Sequence, residues 1–133
     1  MIRFVNEISV DDYTVLRNSA GWPEIPRGQG AVGLDGSAFV VAAKAGERTV
    51  GMTRLISDGG YYFTVVDVIV LAEYQGRGLG REMMLHAIEH IKNSMQLGHK
   101  AYILLTCPDE KEGFYEKMGF QHACGMHMRM NLN

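Results

Sequence analysis

Residues Val66 to Met84 constrain this chain more than any other stretch. The run begins as an apolar, β-branched segment that predicts a buried strand, and it ends with apolar residues at helical spacing. Between these two parts lies a turn with glycines at alternate positions, Gly76, Gly78 and Gly80. A strand that enters such a turn and then a helix brings free backbone N–H groups and the positive end of a helix dipole to one place. The stretch therefore predicts a binding site for a phosphate-like anion.

Two common phosphate-binding loops do not fit these residues. The dinucleotide-binding fingerprint requires a third glycine where Arg81 stands. The P-loop requires Gly-Lys followed by Ser or Thr, and the chain has Gly80-Arg81-Glu82 instead. The residues do match the pattern Gln-x-x-Gly-x-Gly, with Gln75, Gly78 and Gly80 at its fixed positions.

This motif resembles the acetyl-CoA pyrophosphate loop of the GNAT family of N-acetyltransferases. It follows a β-branched strand and precedes a long amphipathic helix. A second element similar to the family, Gly113 to Phe120, follows at a fitting distance. The resemblance covers most of the chain and implies that residues 1–133 form a single GNAT domain.

The periodicity of the chain predicts the element order β-α-(α)-β-β-β-α-β-α-β. This order indicates an α/β fold with a mixed, mostly antiparallel sheet of the α+β kind, flanked by helices. Residues 29–36 are ambiguous, because three glycines weaken a possible helix there. Ala101 to Thr106 are predicted as a strand, Pro108 to Met118 as a helix, and Met126 to Leu132, where methionines alternate with polar residues, as a final strand. The resemblance implies in addition that the strand before the loop and the strand after the main helix splay apart, so that the pantetheine arm fills the gap.

Composition argues against several other classes of protein. Apolar residues make up 47% of the chain, and the net charge is −2 without a basic stripe, so nucleic acid and anionic membranes are not expected as partners. No apolar run is long enough to span a bilayer, and no signal-peptide pattern occurs at the start. Cys107 and Cys124 are too few for a disulfide framework and lack metal spacing, so we expect a cytoplasmic protein. His86 and His90 are one helical turn apart, but a third ligand is not evident, and no metal is expected.

The resemblance implies transfer of an acetyl group from acetyl-CoA to a primary amine, by direct attack in a ternary complex. Backbone amides at Val68, Ile69 and Val70 are implied to polarise the acyl carbonyl. The glycine-rich loop is implied to hold the pyrophosphate, although its arginines fit solvated surface positions equally well. Phe114 is implied to pack against the pantetheine or in the core. The implied loop residues are Gln75, Gly76, Arg77, Gly78, Leu79, Gly80 and Arg81.

Two side chains are candidates for proton transfer. The resemblance assigns Tyr115 as the general acid that protonates the CoA thiolate, and a tyrosine that only packs and hydrogen-bonds the sulfur is the alternative. Asp67 is the one charge in an otherwise apolar strand, and a buried carboxylate is costly unless it is paired or functional. It is therefore a candidate general base, with a structural role for Asp67 and an ordered water as the alternatives. Cys107 would lie close to the thioester, but a free cysteine is more often a small buried hydrophobe.

The acceptor is expected to be a small molecule similar to an aralkylamine, an amino acid or a polyamine. Candidate acceptor-binding residues are Trp22, Arg54, Asp58 and Tyr62. Trp22 lies in a proline-rich loop, which suits a binding lid, although a core position fits equally well. Asp58 precedes a glycine, and this pair is also ordinary turn chemistry.

Other functions and assemblies stay open at this point. A protein or peptide N-acetyltransferase and a non-catalytic CoA-binding module are the alternatives to a small-molecule enzyme. Homodimers are common in the family, and the methionine-rich C-terminal segment could supply an edge for a homodimer.

Overall fold

The computed structural model describes residues 1–132, and its centre is a five-stranded sheet. The strands are β1 (Ile2–Val5), β2 (Phe39–Ala45), β3 (Arg48–Ser57), β4 (Tyr62–Val70) and β5 (Tyr102–Leu104). The helices are α1 (Val10–Ser19), α2 (Arg27–Asp35), α3 (Leu79–Asn93) and α4 (Glu112–Glu116). Short 3-10 helices over Ala72–Tyr74 and Asp109–Lys111 precede α3 and α4.

The strands lie side by side in chain order, from β1 to β5. The first four are antiparallel neighbours, whereas β4 and β5 are parallel. These two strands pair only from Tyr62 with Tyr102 to Thr64 with Leu104, and β4 then continues to Val70 without β5 beside it. The predicted mixed sheet is thus confirmed, and its parallel pair opens as the resemblance implied.

Helices cover both faces of the sheet. Gly51 of β3 faces Met83 of α3, whereas Arg54, which lies on the opposite face of the strand, contacts Tyr13 of α1. The side chain of Ser9 caps α1 by accepting a hydrogen bond from the Asp12 N–H group at 3.1 Å. The apolar stripe of α3 is buried against the sheet and comprises Leu79, Met83, Met84, Ala87 and Ile91.

Several predicted elements differ in extent from those observed. Of residues 29–36, left ambiguous by the sequence, residues 29–35 belong to α2, and Gly36 is its C-cap. The N-cap of this helix is Pro26. The strand predicted over Ala101 to Thr106 is confined to Tyr102–Leu104. The helix predicted over Pro108 to Met118 is replaced by a 3-10 turn and the short α4, which contains the weak helix former Gly113.

The final strand predicted over Met126 to Leu132 is wrong for the single chain. Residues 121–132 are exposed and hold no regular secondary structure. The alternating pattern is present, but a strand also needs a neighbour, and within the described residues this segment pairs with none.

Among the described residues, no helix combines the length and the hydropathy that crossing a bilayer requires.

Gly51 provides a test of how tightly α3 packs on the sheet. A Cβ atom added there would lie 3.0 Å from the Ile69 carbonyl oxygen and 3.0 Å from Met83 Cε. We expect Gly51→Ala to lower the free energy of unfolding by about 1–3 kcal/mol, because the strand or the helix must shift. Urea unfolding followed by circular dichroism measures this change.

The matched control is Gly28→Ala in the first turn of α2, where an added Cβ has open space around it. This substitution is expected to be neutral or to stabilise the fold by a few tenths of a kcal/mol, up to about 1 kcal/mol. Equal midpoints and slopes for the two variants would contradict the close packing at Gly51.

Candidate active site

A β-bulge interrupts β4 near its end. The pairing of β3 with β4 shifts between Met52 and Arg54, so that Thr53 alone faces two residues, Asp67 and Val68. Asp67 has φ = 54°, in the left-handed region that residues other than glycine rarely adopt. The buried Thr53 hydroxyl donates a hydrogen bond to a β4 carbonyl at 3.2 Å. The bulge lies directly before the backbone amides that the family resemblance assigns to the acyl carbonyl.

The Asp67 carboxylate is held by three side chains. Arg54 Nε and the Tyr13 hydroxyl donate to one carboxylate oxygen at 2.6 and 2.7 Å. Arg17 Nη1 donates to the other oxygen at 3.2 Å. The Asp67 side chain is only 7% exposed, so these bonds replace most of its hydration. The bulge thus turns a buried carboxylate toward α1, where it joins that helix to β3 and β4.

The charges of this cluster favour the structural interpretation of Asp67. Burial acts to lower the pKa of Arg54, but the hydrogen bond and the charge of Asp67 outweigh it, so that pKa is raised. Burial, followed by the bond to Asp67, raises the pKa of Tyr13, which keeps its hydroxyl a donor. Three of the roughly four lone-pair sites of this carboxylate are occupied by these donors, so at most one, on the oxygen that faces Arg17, is left to accept a proton.

Two of the predicted acceptor-binding residues join the cluster. Arg54 binds Asp67 directly, and the Arg17 guanidinium lies 5.4 Å from the centre of the Trp22 ring. Arg17 also donates to the Pro23 carbonyl at 2.9 Å, which fixes the loop that carries the tryptophan. Trp22 and Arg54 are therefore connected to the bulge through one network.

The other two predicted acceptor-binding residues lie elsewhere. Tyr62 begins β4, and at about 3.3 Å per residue it lies roughly 16 Å along the strand from Asp67. Asp58 accepts the Gly60 N–H at 2.8 Å within the turn that joins β3 to β4. The structure does not bring Asp58 or Tyr62 to the bulge.

Sequence analysis identified neither Arg17 nor Tyr13 as part of the site. The two residues are four positions apart and share one face of α1. A basic residue on the buried face of a helix, together with a lone acid in a buried strand, is the signal that predicts such an ion pair.

The glycine-rich loop is closed onto the end of β4. Gln75 Nε2 donates to the Val70 carbonyl at 2.9 Å, which explains the glutamine of the motif in this chain. Gly76 and Gly78 have φ values of 78° and 80°, a conformation in which a β-carbon is strained. Arg77 Nη2 donates a hydrogen bond to the Glu73 carbonyl at 3.2 Å, and its guanidinium carbon lies 4.8 Å from the centre of the Tyr74 ring. Arg77 therefore helps to hold the loop together.

α3 begins at this loop without a capping side chain. Its N-cap residue is Gly78, and no side-chain oxygen accepts a hydrogen bond from the first turn. The first N–H groups of the helix therefore keep their hydrogen-bonding capacity, and the positive end of the helix dipole lies with them. Arg81 is exposed in the same turn. This arrangement can bind an anion chiefly through backbone donors.

Gly80 brings α4 close to the loop. A Cβ atom added at Gly80 would lie 3.6 Å from the Phe114 ring and 4.0 Å from Val70. Leu79 beside it is buried in the core. Loop, β4 and α4 thus converge at one apolar contact.

Tyr115 belongs to α4, and Cys107 lies between β5 and α4 in the chain. The Tyr115 ring is half-buried between Phe114 and Phe120, with ring centres 4.9 and 5.9 Å away. Burial, with a smaller effect of Cys107, raises the pKa of Tyr115 to about 12, so the hydroxyl keeps its proton. Burial and neighbouring acids raise the pKa of the Cys107 thiol, which makes it a poor nucleophile. Both residues line a cleft of about 920 Å³ beside β5, which the loop residues 75–81 do not reach.

The two helical histidines pack against aromatic rings. His86 lies against Phe4 and His90 against Phe39, with ring centres 4.9 and 4.5 Å apart. Across residues 1–132, no three His, Cys, Asp or Glu side chains are grouped so that they could hold a metal ion.

Known proteins share both the sequence pattern and the fold. Residues 35–122 match the family model described as an acetyltransferase (GNAT) domain. A solved structure of a probable acetyltransferase from meticillin-resistant Staphylococcus aureus is 32% identical, with a TM-score of 0.88 over 98% of this chain and 100% of that chain.

Curated relatives are longer than this chain. The uncharacterized N-acetyltransferase ycf52 of Pyropia yezoensis is 26% identical over 85% of this chain and 65% of that protein. The histone acetyltransferase TAP1 of Glycine max is 28% identical over 86% of this chain and 53% of that protein. This chain therefore spans about half to two thirds of the length of these two relatives. The matched family model includes the bulge, the glycine-rich loop and Tyr115, and the chain belongs to the GNAT family of acetyltransferases.

Proposed function

We propose that this protein is an N-acetyltransferase that moves the acetyl group of acetyl-CoA to a primary amine of a small molecule, by direct attack in a ternary complex. One observation carries the proposal. The uncapped N-terminus of α3 and the bulge in β4 lie at the two ends of the short stretch from Asp67 to Gly78. A candidate anion site and a set of strand amides thus lie on one continuous stretch of chain, which the hydrogen bond from Gln75 to Val70 closes.

The donor set of the loop fits the pyrophosphate of acetyl-CoA. Backbone N–H groups, a helix dipole and the exposed Arg81 all favour an anion at the start of α3. Phe114, in contact with Gly80, offers an apolar surface for the pantetheine. When bound, acetyl-CoA supplies the activated acetyl group.

The chain's own groups orient and polarise the reacting atoms. Backbone N–H groups among Val68, Ile69 and Val70 donate to the acyl oxygen, which gains negative charge as the amine attacks. Tyr115 donates a hydrogen bond to the departing sulfur. The pKa of Tyr115 is raised to about 12, whereas thiols have a pKa of about 8.5. Complete transfer of the tyrosine proton to the thiolate is therefore unfavourable. The proton that the sulfur finally takes comes from the attacking amine through water.

A water molecule, and not Asp67, is the proposed base. The Asp67 carboxylate accepts hydrogen bonds from Arg17, Arg54 and Tyr13. If it turned away from them to take a proton from the amine, both guanidinium groups would lose their counterion. In this proposal Asp67 positions the bulge and the amides that follow it.

The charge of the cluster bears on the acceptor. Two arginines and one carboxylate leave a net charge of +1 beside the bulge, with Trp22 next to them. An amine that also carries a carboxylate or a phosphate is therefore favoured over a polyamine. A protein acceptor is the second candidate, because a relative is named a histone acetyltransferase.

We keep the cytoplasm as the proposed location, in agreement with the two free cysteines.

Gly78→Ala tests the loop as the pyrophosphate site. The substitution forces a β-carbon into the left-handed conformation, at a cost of about 1–2 kcal/mol. We expect acetyl-CoA binding to weaken roughly five- to thirtyfold as the loop relaxes away from its bound geometry. Isothermal titration calorimetry measures the change.

The control is Gly98→Ala, at a residue beyond α3 with φ = 90° and open space around it. It introduces a similar backbone strain far from the loop and should leave the affinity for acetyl-CoA unchanged. Equal affinities for the two variants would place the pyrophosphate elsewhere.

Asp67→Asn separates the structural role of this residue from a catalytic one. The variant keeps the shape of the side chain and tolerates the left-handed backbone, but it leaves two buried guanidinium groups without a counterion. We expect the free energy of unfolding to fall by about 3–5 kcal/mol. Tyr13→Phe removes the 2.7 Å hydrogen bond to Asp67 and a 3.5 Å hydrogen bond accepted from Arg54. It should lower the free energy of unfolding by about 1.5–3 kcal/mol, since the shorter bond is made to a charged group. Urea unfolding and turnover are measured on both; an Asp67→Asn protein of native stability without turnover would identify Asp67 as the base.

Tyr115→Phe tests the hydrogen bond to the sulfur. Turnover should fall about 10²-fold, as for loss of one preorganised donor, whereas the affinity for acetyl-CoA should not change.

Because the pKa of Tyr115 lies above its ordinary value of 10.0 in the folded protein, wild type should lose stability as the pH rises from 10 toward 12. Tyr115→Phe should lose less stability over this range. The control is Tyr61→Phe, at a half-exposed tyrosine directly before β4, and it should behave as wild type in turnover, affinity and stability.

Turnover is followed as thiol release with aryl amines, amino acids, phosphorylated amines, polyamines and a lysine peptide. Release with one class of small amine would support the proposal and name the acceptor class. Release with the peptide alone would favour a protein acceptor. Acetyl-CoA binding without release on any amine would favour a non-catalytic CoA-binding module.

A further inference from the structure

Arg17 joins the Asp67 cluster to the chain segment that follows α1, residues 20–26, which we call the Trp22 loop. Its Nη1 donates to an Asp67 carboxylate oxygen at 3.2 Å, and its Nη2 donates to the Pro23 carbonyl at 2.9 Å. A guanidinium group is planar and rigid, so these two nitrogens keep a fixed separation and direction. The position of the loop carbonyl and the position of the carboxylate therefore depend on each other.

One end of this connection reaches the donors that are proposed for the acyl oxygen. Asp67 lies in the bulge with a left-handed backbone, and the contacts of its carboxylate hold it there. Val68 follows directly in the chain, and residues 68–70 are the proposed donors. A displacement of the Arg17 guanidinium thus reaches these amides through a single residue.

The other end carries the only tryptophan of the chain. The guanidinium carbon of Arg17 lies 5.4 Å from the centre of the Trp22 ring and 5.9 Å from the centre of the Tyr13 ring. A cation at this distance from an aromatic ring is attracted to it. Trp22 is nevertheless 36% exposed, so part of its ring is free to contact a small molecule.

The Trp22 loop does not use all the donors that Arg17 offers. Arg17 Nε is buried, and among the described residues it has no hydrogen-bond partner. A cavity of about 10 Å³ lies between α1 and the loop, and Glu24 is the one carboxylate in its wall. Because a buried donor without an acceptor is unfavourable, closer contact between the loop and Arg17 would lower the free energy of this region. The loop therefore has both room and reason to tighten.

From these contacts we propose that Arg17 is a positioning residue that couples the Trp22 loop to the bulge, so that a closed loop and an acetyl group bound at residues 68–70 stabilise each other. Each event restrains the same guanidinium, and the second event then costs less conformational entropy. An acceptor that holds the loop closed thereby improves the alignment of the donors. Contacts with Trp22 then raise kcat as well as affinity, which makes them a source of specificity. This inference rests on the proposed function.

The first test follows the fluorescence of Trp22, which reports on the loop without a second tryptophan in the background. Acetyl-CoA should shift the emission of wild type, and CoA, which lacks only the acetyl group, should shift it less. Arg17→Lys should lose the difference between the two ligands. Lysine keeps a positive charge for Asp67, but its ammonium cannot reproduce the fork that binds the carboxylate and the Pro23 carbonyl together. Urea unfolding verifies that the variant is folded.

The matched control is Arg3→Lys. Arg3 also joins a loop carbonyl to a carboxylate, since it donates to Gly46 at 3.2 Å and to Glu47 at 3.3 Å, but it has no contact with the Asp67 cluster. This variant should keep the difference seen in wild type. An unchanged difference in Arg17→Lys, or an equal loss in Arg3→Lys, would overturn the role of Arg17.

The second test measures the coupling without fluorescence. Isothermal titration calorimetry gives the affinities for acetyl-CoA and for CoA, and their ratio reports on the acetyl group alone. Because coupling between two sites is reciprocal, the ratio should fall in Arg17→Lys and in Trp22→Ala, roughly two- to fivefold in each. The double variant should show no further fall, since both substitutions break the same connection. Additive losses, or ratios equal to that of wild type, would contradict the coupling.

The same titrations separate this inference from the proposed function. If folded wild type did not bind acetyl-CoA in the calorimeter, the proposed function would be wrong, and the coupling would fall with it. If wild type bound acetyl-CoA but its Trp22 emission responded equally to CoA, the coupling alone would be wrong.

Discussion

The ion pair of Asp67 with Arg54 and Arg17 is the interaction on which the site depends. It joins β4, β3 and α1 at one point, and its side chains are almost fully buried. A buried carboxylate is tolerated only when strong donors replace its hydration, so the three elements must come together with little freedom. The left-handed backbone of Asp67 costs about 1–3 kcal/mol, and the hydrogen bonds to its carboxylate hold the residue in this conformation. The bulge, and with it the direction of the following amides, is thereby fixed by contacts on the face opposite α3.

The end of β4 then lies between two electropositive features. On one side is the cluster of Asp67, with its net charge of +1, and on the other is the uncapped start of α3. Gln75 holds the second feature in place by its bond to the Val70 carbonyl. Acetyl-CoA carries a permanent negative charge on its pyrophosphate, and acetyl transfer develops a transient negative charge on the acyl oxygen. In the proposed function both charges meet backbone donors along this single segment.

The parts of this structure that sequence predicts are those encoded locally. The strand, turn and helix from Val66 to Met84 follow from periodicity and glycine spacing, and the α1 cap follows from Ser9. The Asp67 cluster was predictable only in outline, because a lone acid in an apolar strand signals a partner without naming it. Arg17 and Tyr13 are about 50 residues away in the chain, and only the packing of α1 brings them there. The final strand failed for a similar reason: alternation describes a surface, but pairing depends on an edge that the local pattern does not provide.

The opening between β4 and β5 weakens the support of the last strand. Two parallel strands that pair over three residues leave a gap beyond Thr64, where the pantetheine arm is proposed to lie. The same gap leaves β5 with one short ladder on its inner side and none on its outer side among residues 1–132. A three-residue parallel ladder is a weak support for a strand that carries the chain toward Tyr115. Opening the sheet for a cofactor and holding its last strand in place are therefore opposing requirements on the same short ladder.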